Sequence, residues 1–188
     1  MKWTALVPLK SAGLRKTRLA SILTADQRDR LSEFMFAHVV SMLARQPRIG
    51  RIIMLSAEKP PGWRWGFAAD RGRGLNAELA SARAALGAAP LLVLPADLPL
   101  LRGEVIAALL AAASRTPALA PDRHGKGTNA VAIPPVHPFL FRFGPDSFRR
   151  HRAQMKEALI IRRPGFALDL DTKEDLIRAG AAVARLRL

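Results

Sequence analysis

The sequence predicts an α/β fold in which a mainly parallel sheet is covered by helices. Two observations carry that expectation. Short apolar runs alternate with helix-length amphipathic stretches from Trp3 to Ala120, the order that right-handed crossovers between parallel strands produce. Several of those runs also end in loops rich in charge or glycine, where open sheets of this class place their functional groups.

Trp3 to Leu9 (WTALVPL) is a buried first strand, followed by a polar, basic loop from Lys10 to Arg18. Thr24-x-x-Gln27 has the capping-box pattern and starts a helix, since each side chain can satisfy a backbone N–H at the other position. Leu31, Phe34, Met35, His38, Val39, Met42 and Leu43 recur at three and four residues and form its apolar face, which makes His38 a core residue. The helix ends near Pro47. Ile52 to Leu55 is the next strand, Glu58 to Gly66 a turn-rich connection, and Phe67 to Ala69 a short strand. A helix from Leu75 to Leu86 closes at Gly87, and the apolar run beginning at Leu91 leads into a helix from Glu104 to Ala113 and a strand at Ala118 to Ala120. From Asn129 the pattern changes: Ala130 to Ile133 and Phe139 to Phe143 are expected strands with only a proline-rich turn between them, an antiparallel insertion or a mixed sheet edge. A basic helix from Asp146 to Leu159, a strand from Phe166 to Leu170 and a final helix from Thr172 to Leu186, striped by Leu176, Ile177 and Val183, complete the order.

Length and composition narrow the function classes. With 188 residues, 49% of them hydrophobic, residues 1–188 are expected to form one domain. The absence of cysteine excludes disulfides, thiolate metal sites and a cysteine nucleophile. No apolar run approaches the roughly 20 residues of a membrane span or the central region of a signal peptide, so a soluble cytoplasmic protein is expected. The formal charge of +15 suits anionic partners. Nucleic acid is the less favoured of these, because basic residues such as Arg28, Arg30, Arg149, Arg150 and Arg152 are spread along the chain, no aromatics interleave them, and tyrosine is absent. Oligomeric state is not legible, and a homo-oligomer is compatible with the sequence.

Four segments carry candidate chemistry. LLVLPADLPLL, from Leu91 to Leu101, runs a buried strand into one carboxylate, Asp97, held between prolines, and FALDL ends in Asp169 and Asp171. Alternation puts the latter two on one face, and hard oxygens at strand ends suit Mg²⁺, which takes one or two carboxylates plus phosphate oxygens. The competing readings are a turn aspartate for Asp97 and helix-terminus support for one acid of the pair. The loop after the first strand supplies Lys10, Lys16 and Arg18 around Gly13, cations able to wrap a triphosphate and stabilise departing pyrophosphate, or simply a solvated basic loop. It lacks the Gly-Lys-Ser/Thr ending of a Walker loop. DRGRGLN, from Asp70 to Asn76, is a glycine turn opening a helix. Its Gly72-x-Gly74-x-x-Ala77 spacing also matches a dinucleotide fingerprint, but the strand before it is short and not the first of the sheet, and that reading leaves Asp169 and Asp171 without a role. Finally, DRHGKGTN and GPDSFRRH place Thr128, Asn129 and Ser147, the last at an expected helix N-cap, beside glycines and cations, donors suited to a phosphate or carboxylate of a second substrate. His124, His137 and His151 have no zinc spacing.

In this order VPLK with KTRL, DRGRGLN, LPADLPLL, GKGTN, GPDSFRRH and LDLDTKEDL resemble the CofC/FbiD guanylyltransferases of coenzyme F420 biosynthesis over nearly the whole chain. The resemblance implies a three-layer α/β/α Rossmann-like nucleotidyltransferase fold and transfer of GMP from GTP to a small phosphorylated acid: 2-phospho-L-lactate, phosphoenolpyruvate or 3-phospho-D-glycerate. It further implies Mg²⁺ on Asp97, Asp169 and Asp171, and a triphosphate loop with Lys10, Lys16 and Arg18. Nucleotide contacts are implied at Pro8, Gly74, Leu75, Asn76 and Pro95, and acceptor contacts at Thr128, Gly144 and Ser147. Ser11, Arg15 and Met155 depart from the family pattern, the first two in the loop and the third where it is expected to reshape the acceptor pocket. A cytidylyl or sugar-nucleotide transferase of similar fold is the nearest alternative.

Overall fold

The computed structural model describes residues 1–11 and 16–184, so the sequence-singled Gly13 and Arg15, and the expected helix end at Leu186, lie outside the described residues. Among those described, seven strands form one sheet: β1 (Trp3–Pro8), β2 (Ile49–Ser56), β3 (Gly66–Ala69), β4 (Leu91–Val93), β5 (Ala118–Pro121), β6 (Thr128–Ile133) and β7 (Leu159–Ile160). Their order is β3-β2-β1-β4-β6-β5-β7. β1 pairs in parallel with β2 and β4, and β3 and β7 are parallel to their neighbours; β6 alone runs antiparallel, between β4 and β5. The expected antiparallel element is therefore inside the sheet and not at its edge.

Strand alternation sorts the core into two layers. Ala5, Val7, Ile52, Met54, Leu92, Ala118 and Ala130 face α1 (Ala25–Ala44) and α3 (Gly103–Ala112), while Leu6, Ile53, Leu55, Leu91, Val93, Leu119 and Val131 face α2 (Leu75–Leu86) and α4 (Ser147–Gln154). Sheet between two helix layers is the three-layer α/β/α arrangement. A third cluster, with Leu19, Leu31, Met35, Leu168, Leu170 and Ala179, fastens α6 (Lys173–Ala179) to the start of α1. Helix α1 begins at the Thr24 capping box as expected, and His38 is half-buried with Nε2 2.9 Å from the Leu101 carbonyl oxygen, bracing the loop after Asp97.

Several expected elements differ, each for a visible reason. Phe139 to Phe143 is extended but pairs with no strand, because side chains satisfy its backbone. Gln154 bonds both polar groups of Leu140, the Arg142 N–H donates to His151, and Asn76 bonds both polar groups of Phe143. Phe166 to Leu170 is no strand either: Pro164 at the first helical position opens a single turn, α5 (Pro164–Ala167), and Leu168 to Leu170 continues extended with the Leu170 N–H donating to the Asp97 carbonyl at 3.0 Å. Helix α4 stops at Gln154 and β7 occupies the end of the predicted helix; α6 stops at Gly180, whose positive φ of 42° ends it. Ile177 is 69% exposed and leaves the predicted stripe, whereas Leu176 and Val183 pack inward.

Candidate active site

β1 lies where the sheet reverses its order, with β2 and β3 on one side and β4 on the other, so a crevice opens beyond the carboxyl ends of β1 and β4. A cavity of about 320 Å³ occupies it. Pro8 at the end of β1 and Lys10 after it, Pro95 and Asp97 after β4, and Leu75 at the start of α2 line it, with Lys16 and Asp171 at one end. Phe143 and Asp70 complete the wall.

The central arrangement is one ammonium between two carboxylates. Lys16 Nζ donates to Asp97 Oδ2 at 2.6 Å and to Asp171 Oδ1 at 2.8 Å, with the lysine side chain 9% exposed. Burial works against the lysine's charge, but Asp97 and Asp171 outweigh it and raise its pKa. Burial likewise works to raise Asp171, and the charge and hydrogen bond of Lys16, with Arg18 beyond, hold it below its ordinary value. Arg18 is exposed and its guanidinium stands 3.5 Å from Asp171 Oδ2. Asp97 Oδ1 is buried and, among the described residues, has no hydrogen-bond partner, a capacity that a buried carboxylate oxygen normally fills with a donor or cation. Lys16 takes this position through a left-handed backbone (φ 49°, ψ 40°), uncommon for a residue with a Cβ and typical of functional sites.

Asp169 is turned differently. Its Oδ1 accepts the Asn129 side-chain N–H at 3.1 Å, and Asn129 also donates to the Phe166 carbonyl, so β6 ties down the segment carrying both acids. Burial pushes the Asp169 carboxyl up, with Asp97 and Asp171 adding to the effect and Asn129 opposing it. Thus the three sequence-predicted carboxylates are neighbours, but only Asp97 and Asp171 converge on one point. Among the described residues no group of three or more His, Cys, Asp or Glu side chains is arranged to hold a metal.

A supporting residue absent from the predicted set orders Asp171. Asp175 is 3% exposed; its Oδ2 accepts the Asp171 N–H at 3.0 Å and the Thr172 N–H at 2.8 Å, and its Oδ1 takes the Arg123 guanidinium. The Thr172-x-x-Asp175 capping box was its sequence signal. Removing a buried acid that answers two backbone donors and a guanidinium strands all three. Asp175→Ala is expected to lower the unfolding free energy by about 3 kcal/mol, measured by denaturant titration; a variant as stable as the parent contradicts this.

Of the other predicted nucleotide-side residues, Gly74 is the N-cap of α2 with φ 93°, a conformation a side chain rarely adopts, and it lies exposed beside the cavity mouth. The loop before it is held by Glu78, which accepts the Arg71 and Arg73 N–H groups and the Arg73 guanidinium; the Arg73 hydrogen bond lowers its pKa to about 2. Asn76 spends its carboxamide on Phe143: Nδ2 donates to the carbonyl at 3.0 Å and Oδ1 accepts the N–H at 2.7 Å. It therefore joins the glycine loop to the segment leading into Gly144. Gly144 and Ser147 meet through the Ser147 N–H and the Gly144 carbonyl at 3.1 Å. Ser147 is the first residue of α4 and not its N-cap, which is Asp146 in a left-handed conformation. Thr128, buried, is bonded to His151. None of Thr128, Gly144 and Ser147 lines the cavity itself. Met155 is buried in the apolar cluster beneath α4.

A family model described as guanylyl transferase CofC like matches residues 3–179. The phosphoenolpyruvate guanylyltransferase of Sphaerobacter thermophilus is 38% identical over 94% of this chain and 91% of its own length. That of Rubrobacter xylanophilus is 37% identical over 95% and 93%. Among solved structures, 4-diphosphocytidyl-2C-methyl-D-erythritol synthase of Anaerococcus prevotii superposes with a TM-score of 0.62 at 13% identity, covering 98% of each chain, a likeness of fold. The sheet order, the crevice at its reversal and the match over residues 3–179 lead to one conclusion: this chain belongs to the CofC-like guanylyl transferase family, and it is a nucleotidyltransferase.

Proposed function

We propose that the protein transfers GMP from GTP to a small phosphorylated acid, releasing pyrophosphate, in the pathway to coenzyme F420. Phosphoenolpyruvate, named in the activity of both relatives above, is the first candidate acceptor, with 2-phospho-L-lactate and 3-phospho-D-glycerate beside it. The observation that carries the reading is the convergence of Lys16, Asp97 and Asp171 at one end of the crevice cavity.

The acceptor's phosphate is already ionised near neutral pH, so its oxygen attacks the α-phosphorus of GTP without a general base. The new bond is an oxygen–phosphorus bond to GMP, and the bond from the α-phosphorus to the bridging oxygen breaks, leaving pyrophosphate with the electron pair. No side chain has to move a proton. The protein's work is alignment and charge neutralisation. Lys10, Lys16 and Arg18 are the cations of that loop, and Pro8, Gly74, Leu75 and Pro95 frame the nucleoside. Asn76, whose carboxamide is engaged with Phe143, contributes through its backbone and by holding the wall. Thr128, Gly144 and Ser147 receive the acid.

Asp97 and Asp171 suit Mg²⁺, having hard oxygens, a shared focus and one buried Asp97 oxygen without a partner among the described residues, with Asp169 alongside. An ion held there would supply positive charge to offset that of the reacting phosphates.

The test is pyrophosphate release with Mg²⁺, offering each acid with GTP and then ATP or CTP in its place. Release is expected with GTP and at least one acid. Release only with CTP or ATP would move the protein to another nucleotidyltransferase activity, and release with none would end the proposal.

A further inference from the structure

His151 is fully buried on α4 and links three parts of the chain. Its Nε2 accepts the Arg142 backbone N–H at 2.9 Å. A ring nitrogen that accepts carries no proton, so in the neutral imidazole the proton is on Nδ1. Nδ1 stands 3.0 Å from Thr128 Oγ1 and therefore donates to it. Phe139 stacks on the ring at 5.2 Å and Phe143 meets it edge-on at 4.9 Å, leaving no room for a flip. Burial first, then the charges of Arg150 and Arg142, push the His151 pKa down to about 4, so the ring is neutral at pH 7.

That single tautomer decides what Thr128 can offer a ligand. With the opposite tautomer, Thr128 would give its hydrogen to Nδ1 and present only lone pairs, which repel an anion. As built, Thr128 accepts from the ring and keeps its own hydrogen, and among the described residues the hydroxyl has no other hydrogen-bond partner. The sheet register locates this hydrogen near the reaction. β6 runs antiparallel to β4 with Val131 opposite Val93, so Thr128, the first residue of β6, lies at the end of the sheet where the chain leaves β4 toward Pro95 and Asp97. The same ring holds Arg142, two residues before Gly144, while Asn76 holds Phe143 between them.

We propose that His151 is a positioning residue for the acceptor: it polarises Thr128 so that the hydroxyl donates to the incoming acid, and it fixes the backbone that leads to Gly144. The role rests on the acceptor reading given under Proposed function, and it adds a residue that touches no substrate itself.

Two amide replacements separate the two ring nitrogens. His151→Gln reaches the Nε2 position, where its carbonyl can still accept the Arg142 N–H, but withdraws the donor from Thr128. His151→Asn keeps a donor near the Nδ1 position and gives up the Arg142 contact. A lost hydrogen bond to a charged ligand is worth about 10-fold in affinity or more, so His151→Gln is expected to raise KM for the acid about 10-fold while KM for GTP stays within about twofold. His151→Asn, which keeps the donor to Thr128 and loses only the Arg142 brace, should cost less of the acid's affinity than His151→Gln. In a Thr128→Val background the Gln substitution should add no further loss, because both act through one hydroxyl. Circular dichroism on each variant checks the fold. The role is overturned if His151→Gln leaves the acid's KM unchanged, raises both KM values together, or adds in full to Thr128→Val. A readout independent of turnover is the imidazole ¹⁵N spectrum of the parent protein at pH 7: a protonated Nδ1 and bare Nε2 are expected, and the opposite tautomer or a charged ring sinks the role even if every variant misfolds. Parent protein that transfers GMP to no acid counts against the acceptor reading and this role together; normal parent turnover with an indifferent His151→Gln removes His151 alone.

Discussion

Asp97→Asn is expected to lower turnover by on the order of 100-fold or more while leaving the fold intact. The replacement is isosteric, and the amide oxygen can still accept from Lys16, whose second carboxylate partner Asp171 remains at 2.8 Å. The Asp97 backbone is equally unaffected, since its carbonyl takes the Leu170 N–H regardless of the side chain. What is lost is one full negative charge from the point where the two carboxylates converge, and with it the buried Oδ1 that has no partner among the described residues. Steady-state pyrophosphate release with saturating Mg²⁺ reads the effect. Turnover near that of the parent would mean that Asp97 is only the turn residue between two prolines that its local sequence also allows.

Lys16→Met should act on both stability and catalysis, in opposite senses with respect to added metal. Without the ammonium, Asp97 and Asp171 lose their shared cation and exposed Arg18 alone stays near Asp171; removing one partner of a buried pair costs up to 3–5 kcal/mol, and with Asp171 38% exposed, about 1–3 kcal/mol is expected. On the proposed reading, Mg²⁺ would compete with Lys16 for the same oxygens. The variant's Tm is therefore expected to rise more on adding Mg²⁺ than the parent's, because binding to the folded state alone stabilises it. Turnover should nevertheless fall by about 100-fold, since on the proposed reading Lys16 is one of the cations serving the triphosphate. A variant with parental Tm and no greater response to Mg²⁺ would show that the Lys16 contacts carry no energy.

Much of this architecture was legible in the sequence because burial on both faces of a parallel sheet writes itself into unbroken apolar runs: Ala5 and Leu6, or Ile52 and Ile53, point to opposite layers and both are apolar. Helix starts at Thr24 and Thr172 were readable from their caps. Phe139 to Phe143 misled for an instructive reason. Its pattern of apolar residues is that of a strand, but a strand is defined by where its backbone bonds go, and here Asn76 of the distant α2 and His151 and Gln154 of the following α4 supply them. The FALDL segment misled similarly, since Pro164 turns its start into α5. In the site, Asp97, Asp171, Lys10 and Lys16 could be picked out because charge following an apolar run is conspicuous. Asp175 and His151 were not, since their importance lies in partners: a capping residue and a histidine on a basic helix look ordinary until Asp171 and Thr128 are seen beside them. Asn76 shows the converse, a conspicuous motif residue whose carboxamide is spent on the protein's own backbone.

The central claim is that GMP moves from GTP to the phosphate of a small acid. Phosphorus NMR of the parent protein with GTP, Mg²⁺ and phosphoenolpyruvate tests it most directly. The acid's single phosphate resonance should be replaced by two mutually coupled doublets of a phosphoanhydride joining it to GMP, with one pyrophosphate formed for each adduct. Accumulation of GDP and inorganic phosphate, or pyrophosphate and free GMP with the acid's resonance unchanged, would contradict it.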